Sequence, residues 1–148
     1  MRNREQNRKY IFNKFYSNIA NHEFKKILFE IKTLITNIPN LEESIRFKIE
    51  FTLEELLTNS FSHLNINHSS VDIQICLFIK GFRIEYHEIG VDDLNFVQIL
   101  KEAQKRKLNN SFEQNGGLGL SLVQQVSKNF KYRYDESKKT RCIEASFL

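Results

Sequence analysis

The sequence predicts an α+β domain: a two-layer sandwich with helices on one face of a mostly antiparallel sheet. Two stretches with three- and four-residue apolar spacing come early in the chain. Period-two stretches follow in neighbouring pairs (71–87 and 131–147), and the joint inside each pair is a short turn, which sets the two strands antiparallel. A doubly wound α/β fold would alternate strand and helix along its whole length. At 148 residues, with 41% hydrophobic and 27% charged side chains, the chain is long enough for one core and too apolar for disorder. Residues 1–9 read as a loose polar arm and 10–148 as a single domain, with no internal repeat or low-complexity segment.

Taken in order, Tyr10 to Tyr16 is rich in aromatic and apolar residues and reads as an edge strand. From Glu23, the spacing of Phe24, Ile27, Leu28, Ile31, Leu34 and Ile35 predicts an amphipathic helix that Pro39 must end. Asn40 followed by Glu43 resembles a capping box, so a second helix is expected to run to about Leu64. On its wheel Ile45, Ile49, Leu53, Leu56, Leu57, Phe61 and Leu64 share one broad arc. Val71, Ile73, Ile75 and Leu77 then alternate with Asp72, Gln74 and Cys76, and Phe82, Ile84 and Tyr86 with Arg83, Glu85 and His87. Lys80-Gly81 between them makes a hairpin. Gly90, just beyond, permits a backbone geometry that other residues resist.

Leu94 to Lys107 can form a short helix, and Asn109 to Asn115 is a polar segment suited to a mobile loop. Gly116-Gly-Leu-Gly119 opens a further helical pattern in which Leu122, Val123, Val126 and Phe130 share a face. Lys131 to Tyr134 and Arg141 to Phe147 finish the chain as two strands joined across Ser137 to Lys139.

Composition narrows the function classes only in part. The chain has no apolar run of membrane-spanning length and no apolar signal region behind its basic N-terminus, which predicts a cytosolic protein without a membrane partner. Cys76 and Cys142 lack metal-ligand spacing and are expected to pack as small hydrophobes rather than to bridge. The net charge of +4 is dispersed, apart from Lys105-Arg106-Lys107 and Lys138-Lys139, and no motif supports nucleic-acid binding. Phosphate-bearing ligands or an acidic partner surface would also suit that charge.

Glu55, Asn59 and His63 fall at successive four-residue steps and so stack on one stripe beside the apolar arc of the second helix. A carboxylate and an amide aimed together from a core helix call for a function. Glycines leading into a helix suit an anion, because the first N–H groups of a helix lack partners and its dipole favours negative charge; a plain turn needs glycines too.

Three elements then stand in a fixed order: Glu55-Leu-Leu-Thr-Asn59 on a helix, Glu88-Ile-Gly90 after a strand, and Gly116-Gly-Leu-Gly-Leu-Ser-Leu-Val123 opening a helix. Together they resemble the N, G1 and G2 boxes of the GHKL ATPase superfamily, over residues 10–148, and look most like its bacterial anti-sigma-factor serine/threonine kinases. The resemblance implies the two-layer Bergerat-type fold, with a mostly antiparallel mixed sheet, and ATP and Mg²⁺ as cofactors. By position, Asn59 matches the asparagine that coordinates Mg²⁺, and Glu55 the carboxylate proposed as general base. Gly117, Leu118 and Gly119 match the segment that approaches the phosphates, and Gly90 the first glycine of its box. Asn109 to Asn115 would be the nucleotide lid. Thr140 resembles a threonine that helps hold adenine through water. His63 looks like the histidine that often ends the first box, with a packing role as the alternative, and Lys105 to Lys107 reach either phosphate or solvent.

Two positions depart from the pattern. Glu88 stands where the family has an aspartate that accepts from the adenine amino group, and Asp92 replaces a second glycine. Glutamate keeps the acceptor but adds a methylene; its other reading is a solvated turn residue. The resemblance therefore implies a cytosolic protein kinase that binds a sigma factor and phosphorylates a serine on a small antagonist protein. A catalytically degenerate protein-binding module of the same fold is the alternative, and a stand-alone catalytic domain of histidine-kinase type a third. Dimerisation stays open.

Overall fold

The computed structural model describes residues 9–67, 71–91 and 118–148. They form an α+β structure with a five-stranded sheet in the order β1-β2-β3-β5-β4. The strands are β1 (Tyr10–Ile19), β2 (Val71–Phe78), β3 (Ile84–Ile89), β4 (Asn129–Asp135) and β5 (Thr140–Ser146), and the helices are α1 (Phe24–Thr36), α2 (Glu43–Asn67) and α3 (Leu118–Val126). All four ladders among the described residues are antiparallel, so the mixed sheet implied by the resemblance is not what these strands form. Short hairpins join β2 to β3 and β4 to β5, and such joints can only pair antiparallel neighbours. None of the described helices is long and apolar enough to cross a membrane.

The first strand lies on the sheet edge as expected but runs three residues further, to Ile19, through a register irregularity at which Asn18 takes a positive φ of 54°. Helix α1 buries Ile27, Ile31 and Ile35, and its C-terminus is closed by Asn37, whose N–H donates to Thr33 O at 3.1 Å. Pro39 follows at once. Arg46 of α2 donates to the carbonyls of Ile35 and Ile38 and lies 3.5 Å from Glu43, so one guanidinium holds the end of α1 to the start of α2.

The capping expectation at Asn40 fails. Asn40 has a φ of 56° and belongs to the turn, whereas α2 begins at Glu43 with Arg46 N–H bonded to Glu42 O at 3.0 Å. The asparagine is spent on the left-handed geometry that Asn tolerates better than most residues, and the helix starts two residues later than a cap there would place it.

Ile45, Ile49, Leu53, Leu56, Leu57 and Phe61 are all buried, as the wheel predicts. They meet Ile73, Ile75 and Leu77 of β2, Ile84 and Tyr86 of β3, and Ile143 and Ala145 of β5 in one cluster. Burying each such aliphatic side chain contributes about 1.5–3 kcal/mol, so this face of α2 fixes its rotation and leaves Glu55 and Asn59 half-buried at its side.

Two smaller expectations need correction. Phe82 is not in the second strand of the hairpin: Gly81 and Phe82 both take positive φ, 69° and 45°, in the turn, and β3 begins at Ile84 opposite Leu77. In α3 it is Leu120 and Val123 that are buried, while Leu122 is 39% exposed and Phe130 lies in β4. A nine-residue helix with apolar residues at 118, 120, 122, 123 and 126 offers two candidate faces, and its contact with α2 selects the one through Leu120 and Val123.

Candidate functional site

Helix α2 packs against both α3 and β3, and the end of β3 pairs with the start of β5. Glu55 and Asn59 stand one turn apart on α2. Burial raises the Glu55 carboxyl above its ordinary value, and the charge of Glu54 adds to the effect. A carboxyl shifted toward neutral pH is a better proton acceptor for a hydroxyl than an ordinary surface glutamate. The Asn59 amide nitrogen is buried, and the amide oxygen is a hard donor of the type that Mg²⁺ accepts.

One residue further along α2, Ser60 turns into the core. Its hydroxyl oxygen is 2.6 Å from Tyr86 OH, and it also hydrogen-bonds the carboxylate of Glu88. Glu88 is 6% exposed, which removes the reading of a solvated turn residue. Directly across the β3–β5 ladder from it stands Arg141, whose Nη1 lies 3.5 Å from Glu88 Oε2. Burial pushes the Glu88 carboxyl up; the guanidinium and the Ser60 hydroxyl pull it back without cancelling that effect. Tyr86, fully enclosed, has its phenol pushed well up by the same loss of solvent. Tyr86, Ser60, Glu88 and Arg141 thus form a polar seam beneath α2, tying the helix to the middle of the sheet.

Gly90 and Val91 leave β3 under tight control. Both N–H groups donate to Lys139 O, at 2.8 and 2.9 Å, and Val91 O accepts from Tyr134 OH at 2.7 Å. Gly90 has a φ of 77°, and a Cβ built on it would meet nothing within 4 Å among the described residues. Its requirement is therefore purely one of backbone conformation. Gly90→Ala is expected to cost about 1–2 kcal/mol of stability, read from urea denaturation; a loss well beyond that would show a steric role the open space does not predict.

Thr140 pairs with Ile89 on one side and Asp135 on the other, and its hydroxyl donates to Lys138 O at 3.1 Å. It alternates with Arg141 along β5, so its side chain leaves the sheet on the face away from Glu88. Leu118 and Gly119 open α3, which packs on α2. Gly116 and Gly117, Asp92, the 94–107 helix with Lys105 to Lys107, and the 109–115 loop lie outside the described residues, as does the side chain of His63. The structure therefore brings Glu55, Asn59 and Glu88 to one side of the sheet and leaves Thr140 on the other. Among the described residues no group of three or more His, Cys, Asp or Glu side chains could hold a metal ion.

Arg141, Ser60 and Tyr86 were not among the candidate residues. Arg141 and Tyr86 sat in strands of the right period, but only the β3–β5 register, which no local pattern encodes, puts arginine opposite glutamate.

The opposite face of the sheet is polar and carries both thiols, which are free and buried. Burial, with the nearby Glu85, raises Cys76 to about 11. His87 lies opposite Cys142 in the ladder, with Nε2 3.8 Å from its Sγ and 3.7 Å from Glu85 Oε2; the contact with Cys142 and then that with Glu85 raise the imidazole to about 9. Because the folded value lies above the unfolded one, this contribution to stability is full below the unfolded value of about 6.5 and is lost as pH rises through about 9. A fall of about 1–2 kcal/mol across that window is expected for so partly solvated a group, and His87→Gln should flatten it in urea titrations at stepped pH.

A scan against protein-family models and a search of curated proteins both return no match to the chain.

Proposed function

We propose that the chain is a Bergerat-type, ATP- and magnesium-dependent serine/threonine protein kinase of the anti-sigma kind, which sequesters one protein partner and phosphorylates a serine on another. The single observation that carries the reading is the α2 stripe: Asn59 one turn from Glu55, both half-buried beside a largely apolar face, with the carboxyl raised by burial. Mg²⁺ is a hard cation that keeps several waters and is held largely by substrate phosphates, so the Asn59 amide oxygen would serve as its protein donor beside the phosphates. Helix α3 packs on α2, and the first N–H groups of a helix favour an anion. When bound, Mg-ATP supplies the phosphoryl group. Glu55 accepts or orients the proton of the incoming serine hydroxyl, and Asn59 fixes the ion. The base end fits less well, because Glu88 is held by Arg141.

Incubation with labelled ATP and a serine-bearing antagonist protein should transfer label to that protein. Absence of transfer to any candidate, with ATP bound, would remove the kinase part. That outcome would favour the second reading, a protein-binding module of the same fold without catalysis, for which the sealed Glu88–Arg141 pair is the supporting observation. The module reading expects partner affinity indifferent to nucleotide.

A further inference from the structure

Glu88 stands where a base-reading carboxylate is expected, yet its side chain is 8% exposed and faces protein groups. Arg141 lies across the ladder at 3.5 Å, and the Ser60 hydroxyl, itself 2.6 Å from Tyr86 OH, bonds the same carboxylate. A carboxylate reads adenine by accepting a hydrogen from its exocyclic amino group. To do so here, Glu88 would exchange part of its contact with a charged donor for one with an uncharged donor, and would leave a buried guanidinium less compensated. Beside it, the N–H groups of Gly90 and Val91 both donate to Lys139 O, and the Val91 carbonyl accepts from Tyr134 OH.

We infer that Arg141 is a specificity-determining residue that silences Glu88 as a base reader, so that the site takes nucleoside triphosphates as a class, ATP and GTP alike, through their magnesium-bound phosphates. The inference rests on the nucleotide-binding reading above and removes from it the selectivity for adenine. The burial of the pair, the ladder that sets it and the occupied backbone donors all act at the base end. The stripe of Glu55 and Asn59 is left as it was.

Thermal-shift titrations of the intact chain with ATP, GTP and inorganic tripolyphosphate, each with magnesium, test it. Dissociation constants for ATP and GTP are expected to agree within about threefold, and tripolyphosphate should shift the melting temperature as well. Arg141→Met releases Glu88 and should open a preference for ATP of about tenfold or more. A tenfold preference for ATP in the wild type overturns the inference while leaving nucleotide binding intact, and a folded Arg141→Met protein with no gain in preference overturns the role of Arg141. If none of the three ligands shifts the wild type, the inference and the nucleotide reading fall together. Should Arg141→Met not fold, the wild-type ratio decides.

Discussion

Glu55→Gln is expected to lower phosphate transfer to a protein serine by about 10²–10⁴-fold, the usual contribution of a positioned general base, while the melting shift produced by Mg-ATP persists. Glutamine keeps the size and the hydrogen-bonding oxygen of the side chain but cannot take a proton. Glu55 is half-buried at the edge of the apolar face, so the substitution adds no steric load and removes a carboxylate whose charged form burial and Glu54 already disfavour. The same displacement fixes the sign of the pH dependence. A base works deprotonated, so transfer by the wild type should rise with pH through the raised value of Glu55 and then level off. Single-turnover transfer and thermal shift on the same preparations separate loss of chemistry from loss of binding. Equal loss of both in Glu55→Gln would make Glu55 a binding residue instead.

The largest expected effect on stability is at Arg141. Arg141→Met should cost about 3–5 kcal/mol, because it leaves the carboxylate of Glu88 buried without its counter-ion. The double variant Glu88→Leu with Arg141→Met should recover most of that loss, since an apolar pair of similar volume is often neutral at a buried ion-pair position. The cost of the single variant should shrink as pH falls, since the stranded carboxyl can then fold protonated. Urea denaturation of the two single variants and the double gives the coupling directly. A cost under about 1 kcal/mol for Arg141→Met would mean that the pair behaves as a surface contact, against its burial.

How much of this was legible in the sequence depends on the range of the interaction. The buried arc of α2, the two hairpins and the edge strand all follow from local period, and the chain places them where the period says. Errors fell where local signals compete. Asn40 is both a good cap and a residue tolerant of positive φ, and the turn took it; Phe82 continued the alternation but was used by the turn after Gly81. In α3 the apolar residues outnumber one face, so only contact with α2 could choose between Leu120 and Leu122.

The candidate site divides the same way. Glu55 and Asn59 share one helix and could be paired from spacing alone. Glu88 and Arg141 are 53 residues apart in the chain, and their meeting depends on the register of two strands that no hairpin joins. The seam through Ser60 and Tyr86 depends further on how far α2 is rotated over the sheet. Glu88 was visible as a departure from a pattern, but its reason, a guanidinium directly opposite, was not.

The central claim is that Asn59 holds magnesium against the phosphates of a nucleotide, and one measurement tests it most directly: thermal-shift titration with ATP, with and without Mg²⁺, on the wild type and on Asn59→Ala. Ligand at about 100 times its dissociation constant stabilises the folded state by about 2.7 kcal/mol, which for a domain of this size raises the melting temperature by several degrees. The account predicts that rise in the wild type with Mg²⁺, a much smaller one without it, and loss of the magnesium-dependent part in Asn59→Ala. No shift at millimolar ATP with Mg²⁺, or a shift that neither magnesium nor Asn59→Ala alters, would contradict it.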